Sequence, residues 1–158
     1  MSIALSRRAL LRGLTVAAGA GLIPSAGVAA NMSFPAATPI TVYRSPTCGC
    51  CLKWVEHLTA NGFAATVREV EDIEPVKTRL GVTDDVRSCH TAEVEGYAIE
   101  GHVPASAIRK LLAERPKVAG IGVPGMPVGS PGMEMGMRKD PFDVIAFGPS
   151  GNRIFARF

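Results

Sequence analysis

The first hydrophobic stretch of the chain, Gly13 to Ile23, carries no charge and directly follows Ser6-Arg7-Arg8-Ala9-Leu10-Leu11-Arg12. Gly27-Val28-Ala29-Ala30 comes next, so a basic head, an apolar middle and a small-residue cleavage site stand in order. The apolar part is too short for a stable membrane span. This pattern predicts a signal peptide over residues 1–30, cut after Ala29 or Ala30; the competing reading is an uncleaved N-terminal anchor helix. The arginine pair, preceded by Ser and followed by x-Leu-Leu, has the form of a twin-arginine export signal. Either reading puts the working domain, residues 31–158, outside the cytoplasm and in the periplasm.

Past a polar, Pro-containing lead-in, the apolar period changes element by element. Ile40-Thr41-Val42-Tyr43 is β-branched and aromatic, hence a strand, and Ser45-Pro46-Thr47 breaks it. From Cys51, Val55 and Leu58 recur at i+4 and i+7 with Leu52 alongside, the spacing of a helix that Asn61-Gly62 stops. Phe63 to Val70 alternates as a second strand, and Glu74 to Leu80 is a short helix ended by Gly81. Thr91–Val94 and Tyr97–Glu100 are strands joined by Glu95-Gly96. In Ala105 to Glu114, Ile108, Leu111 and Leu112 share one face, a helix that Arg115-Pro116 ends. The sum, β-α-β-α-β-β-α, is the thioredoxin and glutaredoxin order: an α/β single domain whose cysteines sit where strand one meets helix one.

Gly120 to Met137 fits no period. Its eighteen residues include six Gly, three Pro and four Met, which predicts one long Met/Gly/Pro-rich loop rather than a regular element. Phe142–Phe147 and Arg153–Phe158, around Gly148-Pro149-Ser150-Gly151-Asn152, then form a closing C-terminal β-hairpin.

Length and composition, 158 residues with 47% apolar and 20% charged, fit one globular domain and exclude collagen, coiled coil and bulk disorder. The formal charge of +3 belongs to the leader: Arg7, Arg8 and Arg12 are its only charges, and the 17 basic residues less these three balance 14 acidic ones. A neutral mature domain argues against nucleic acid or an anionic membrane as partner, and a monomer is the default.

Export changes the reading of the four cysteines, which an oxidising compartment would by default pair into two disulfides. Cys48, Cys50 and Cys51 are too close together for a spread scaffold, so at least one is left for other chemistry. At a strand-to-helix turn the free amides and the helix dipole favour thiolate. Cys48-x-x-Cys51 can act as a catalytic redox pair, Cys48 attacking and Cys51 resolving. Alternatively three clustered thiolates bridge soft metal ions, and the extra Cys50 favours metal. Cys89 lies just before the third strand, where thioredoxin-like folds face the cysteine turn and normally carry a cis-proline; its alternative is a small buried core residue.

His90 reads as a ligand or a solvated loop residue, and His102, in Gly101-His102-Val103-Pro104, as able to turn toward the site. His57 stands two helical turns from Cys50, too far to share an ion with it, and reads as exposed; Trp54 reads as core or site wall. Thiolate with thioether points to Cu(I) ahead of zinc, and Met126 and Met133, each beside Gly, are the first thioether candidates, with Met135 and Met137 behind them. A loop that merely covers the sheet is the plainer account of these methionines. Four cysteines can also hold an iron–sulfur cluster or zinc, but neither explains the methionines.

Tyr43-x-Ser45-Pro46-Thr47-Cys48-Gly49-Cys50-Cys51-x-x-Trp54, Ser88-Cys89-His90-Thr91, Gly101-His102-Val103-Pro104 and the run from Val123-Pro124-Gly125-Met126 to Pro131-Gly132-Met133 follow in order. In these motifs, which span nearly all of the mature chain, the sequence resembles the CopG-type periplasmic copper-resistance proteins. The resemblance implies a thioredoxin-like fold and a cysteine-bridged cluster of several Cu(I) ions. It implies Cys48, Cys50, Cys51 and Cys89 as metal ligands, with His90, His102, Met126 and Met133 beside them. It also implies a role in copper homeostasis, alone or with other periplasmic copper-handling proteins, and leaves room for a copper or thiol-disulfide oxidoreductase using Cys48 and Cys51.

Overall fold

A computed structural model describes residues 37–158; the leader and its cleavage site lie outside the described residues. The elements are β1 (Thr38–Arg44), α1 (Gly49–Ala60), β2 (Phe63–Glu69), α2 (Glu74–Arg79), β3 (His90–Val94), β4 (Tyr97–Glu100), α3 (Ala105–Glu114), β5 (Gly120–Gly122), β6 (Asp143–Phe147) and β7 (Arg153–Arg157). A single 3-10 turn, Asp84–Val86, precedes β3. The seven strands make one sheet in the order β2-β1-β3-β4-β5-β6-β7. β1 runs parallel to β2 and β4 parallel to β5, and the remaining neighbours are antiparallel.

Alternation along the strands builds two apolar layers. Ile40 and Val42 of β1, Ile99 of β4 and Ala146 of β6 join Trp54 and Leu58 of α1 and Ile108 and Leu111 of α3. Their chain neighbours Ala98 and Phe147 join Val82 and Val86 in a smaller cluster, as side chains that alternate across a sheet must. Burying each large side chain of the main layer contributes about 1.5–3 kcal/mol, so α1 and α3 are held chiefly by that face.

Two expectations change here. The segment from Gly120 is not loop throughout: β5 lies between β4 and β6, and the loop proper starts after Gly122. Its glycines serve close packing, because a Cβ on Gly120 would lie 2.0 Å from the Ala98 carbonyl oxygen. The chain thus adds three strands beyond α3 rather than one hairpin; α1 begins two residues before Cys51, α2 ends one residue before Leu80, and α3 keeps the expected bounds. On α1 the inward face is Cys51, Trp54 and Leu58, while Leu52 is 44% exposed.

Candidate metal centre

β1 ends at Arg44, and the turn after it is tied by the Cys48 N–H donating to the Ser45 carbonyl at 3.1 Å. The Arg44 guanidinium, buried under this turn, donates to the carbonyls of Pro46 at 3.0 Å and Cys48 at 3.1 Å and pairs with Glu69. Cys48 occupies the N-cap position of α1 without a side-chain cap, so first-turn amides are left unpaired around Gly49, Cys50 and Cys51. Cys51 is buried, Cys48 and Cys50 are half-buried, and Cys48 and Cys51 are joined in a disulfide. Cys50 and Cys89 are free.

Because β3 pairs antiparallel with β1, placing His90 opposite Arg44, the residue before β3 arrives beside the cysteine turn. Cys89 Sγ lies 3.7 Å from Cys51 Sγ and 4.0 Å from Cys50 Sγ, and Cys50 Sγ is 3.5 Å from Cys48 Sγ. On its other side Cys89 Sγ meets His90 Nδ1 at 3.3 Å and His102 Nε2 at 3.2 Å. The donor atoms form two groups that could hold a metal ion, Cys48-Cys50-Cys51-Cys89 once the Cys48–Cys51 disulfide is reduced, and Cys89-His90-His102, with Cys89 common to both.

Both histidines are fully buried. The indole of Trp54 lies against His90, ring centres 4.4 Å apart and planes tilted by 44°, and donates to the Val103 carbonyl at 2.9 Å, so Trp54 is core and site wall at once. His102 Nδ1 donates to the Pro131 carbonyl at 2.8 Å, which leaves Nε2 as the lone-pair nitrogen facing sulfur. Burial, with His102 and Lys77 nearby, holds the His90 pKa well below its ordinary value, and burial lowers that of His102 too. The two imidazoles are therefore neutral donors near pH 7. Burial, reinforced by Cys50, pushes the Cys89 thiol up to about 12. A metal taken by Cys89 must therefore displace a proton.

Beneath the pair Cys89-His90 lies a buried polar network. The Lys77 ammonium donates to the Ser88 carbonyl at 3.1 Å and the Thr91 hydroxyl oxygen at 3.0 Å, and pairs with Glu100. Glu100 in turn accepts from the Ser88 N–H and the Thr91 hydroxyl, both at 2.6 Å. The residues on both sides of Cys89-His90 are thus fixed by one ion pair. Neither Lys77, Glu100 nor Arg44 emerges from the periodicity; the usable signal is a charge inside a strand, at Arg44 and Glu100.

His57 is not simply exposed. It is half-buried, and its Nε2 accepts from the Ala105 N–H at 3.1 Å, capping the start of α3 from the side. It stays apart from both donor groups, as its helical distance from Cys50 requires. His90 is no solvated loop residue. Met133 shares a surface groove with Cys50, whereas Met126 stands 52% exposed beside Gly125, which accepts from the Ser88 hydroxyl. Met135 and Met137 point outward, the latter fully exposed.

Fold and site define a mixed α/β protein with a thiol and imidazole cluster at the junction of β1, α1 and β3, able to hold soft metal. Two solved structures, "Copper resistance protein copG- Form 2" and "Copper resistance protein copG- Form 1", each share 48% identity with this chain at a TM-score of 0.73. Each comparison covers 77% of this chain, with 98% of the first structure and 97% of the second. Residues 86–133, which contain Cys89, His90 and His102, match the family described as "Protein of unknown function, DUF411". No curated protein matches the chain. The chain belongs to the CopG copper-resistance family.

Proposed function

We propose that this is a periplasmic Cu(I)-binding protein of copper homeostasis, exported by a twin-arginine leader over residues 1–30 and working as a thioredoxin-like domain over 31–158. Copper is its cargo, held as a cysteine-bridged cluster of several ions by Cys48, Cys50, Cys51, Cys89, His90 and His102, with Met126 and Met133 as further thioether donors. The observation that carries this reading is the position of Cys89 Sγ, within 4.0 Å of Cys50 and Cys51 and within 3.3 Å of both imidazoles. One thiolate common to two donor groups is suited to bridging, and a set of sulfurs and neutral imidazoles favours a soft monovalent ion. The family's copper-resistance relatives agree with that choice. The test is an anaerobic Cu(I) titration of reduced, leader-free protein against a competing chelator. Several ions per chain are expected, lost when Cys48, Cys50 and Cys51 become Ser; equal binding by both proteins would refute the reading.

A second reading is favoured by the Cys48–Cys51 disulfide. In it the pair is redox-active: two thiols reduce two Cu(II) to two Cu(I), forming the disulfide and releasing two protons. Cu(II)-reductase or disulfide-reductase turnover above that of Cys48→Ser is expected, and its absence would remove this reading.

A further inference from the structure

A groove of about 430 Å³ opens beside the cluster, and Cys50, Lys53, Met133, Glu134 and Met135 line it. The cluster's other sulfurs do not line it; Cys50 alone connects the two. Met135 is 66% exposed, so its thioether gains little from packing. The segment that presents both methionines is nevertheless firmly placed. Gly132 sits on α1 so closely that a Cβ would meet Trp54 N at 2.8 Å and the Cys50 carbonyl at 2.9 Å, and its φ of +84° suits glycine. Met133 N–H donates to the Ser130 carbonyl at 2.8 Å, and the Glu134 carboxylate turns back to accept from the Gly132 N–H at 2.9 Å.

The chemistry of the lining is selective. Lys53 disfavours hydrated divalent cations, and one Glu134 carboxylate oxygen is engaged by the Gly132 N–H, so the soft donors of the groove are thioether and thiol sulfur. Thioethers bind soft monovalent ions without deprotonation and more weakly than thiolate, so affinity rises from the outer methionines to Cys50. We infer that this groove is the loading site of the cluster: Cu(I) is taken first by Met133 and Met135 and passed to Cys50. The inference rests on the Cu(I)-binding reading above. The transfer is ligand exchange without oxidation. A Cu–thioether bond breaks as the Cu–Cys50 bond forms, and the Cys50 thiol proton leaves to solvent.

The test is stopped-flow loading of reduced protein with Cu(I) supplied in acetonitrile, comparing wild type with Met135→Leu, which removes the groove thioether that is not among the cluster's proposed ligands. Leu keeps the apolar volume, so folding is retained. Loading is expected to slow at least tenfold while the final number of ions per chain stays that of wild type. Met137→Leu, outside the groove, is expected to load at the wild-type rate. An unchanged rate in Met135→Leu overturns the inference, as does equal slowing by Met137→Leu. A reduced final stoichiometry in Met135→Leu also overturns it, making that thioether a permanent ligand. Failure of the wild type to take up any Cu(I) would instead overturn the copper reading itself.

Discussion

Replacing Lys77 with Met removes one half of the ion pair under Cys89 and His90. Lys77 and Glu100 are 2% and 0% exposed, so the carboxylate left behind has no water to turn to. Two donors remain to it, the Ser88 N–H and the Thr91 hydroxyl, each at 2.6 Å, but no counter-charge. Breaking a buried pair from one side costs about 3–5 kcal/mol, and the surviving donors place this case near the lower figure, about 3 kcal/mol. For a domain of this size that corresponds to roughly 12 °C in Tm. Burial already raises the Glu100 pKa against the opposing pull of Lys77. Without the ammonium only the Thr91 and Ser88 hydrogen bonds still oppose the rise. A carboxyl with a raised folded pKa destabilises nothing below its unfolded value of 4.5, and the deficit grows as pH rises above it. Urea unfolding of metal-free, reduced protein, followed by the fluorescence of Trp54, measures both effects. Lys77→Met/Glu100→Gln is expected to regain most of the loss, because no charge is then buried alone. A single variant within about 1 kcal/mol of wild type would refute the reasoning. So would a deficit equal at about pH 5 and about pH 8, or a double variant no more stable than the single.

Two further perturbations probe separate parts of the fold. Gly120→Ala would drive a Cβ into the Ala98 carbonyl, and about 3 kcal/mol or more of stability is expected to go with the β4–β5 pairing; a loss under about 1 kcal/mol would mean the strands part easily. Burial is the first cause of a lowered pKa at His57, His90 and His102 alike. Groups with depressed folded pKa values give their full stability above the unfolded value of 6.5 and lose it as pH falls through the folded ones. Metal-free protein should therefore hold its unfolding free energy above neutrality and lose it on acidification with proton uptake on unfolding, which a urea series across pH checks.

The strands and helices around the cysteines were legible because each carries its own local period, whereas the antiparallel pairing of β3 with β1 is seen only in the sheet. That pairing, with His90 opposite Arg44, is what brings Cys89 to the cysteine turn. β5 was not legible, since Gly-Ile-Gly reads as punctuation until a neighbouring strand is seen pressing on Gly120. Leu52 misled because four apolar residues near the start of α1 allow two faces, and only the sheet chooses Cys51, Trp54 and Leu58. His57 capping Ala105 and the Lys77–Glu100 pair join residues 48 and 23 positions apart, and no local pattern encodes such partnerships. Burial of His90 was hidden for the same reason: its cover comes from Trp54 and His102, on other elements.

The segment 123–142 leaves the sheet and returns between strands that are already hydrogen-bonded neighbours, with Gly122 opposite Ile145. A detour whose ends are pinned together costs closure entropy only with the logarithm of its length, about 0.6 kcal/mol per doubling. Its length is therefore free to drift while the sheet stays whole. Its fixed points include Val123, buried in the core, Gly129, crowded by Lys139, the buried Ser130, Pro131, whose carbonyl holds His102, and Gly132, which has no room for a side chain against α1. One wall of the cluster is thus exchangeable and the other, rooted in β3 and the β4–α3 turn, is not. A change in what the cluster accepts would be written in the detour first, at little cost to the fold.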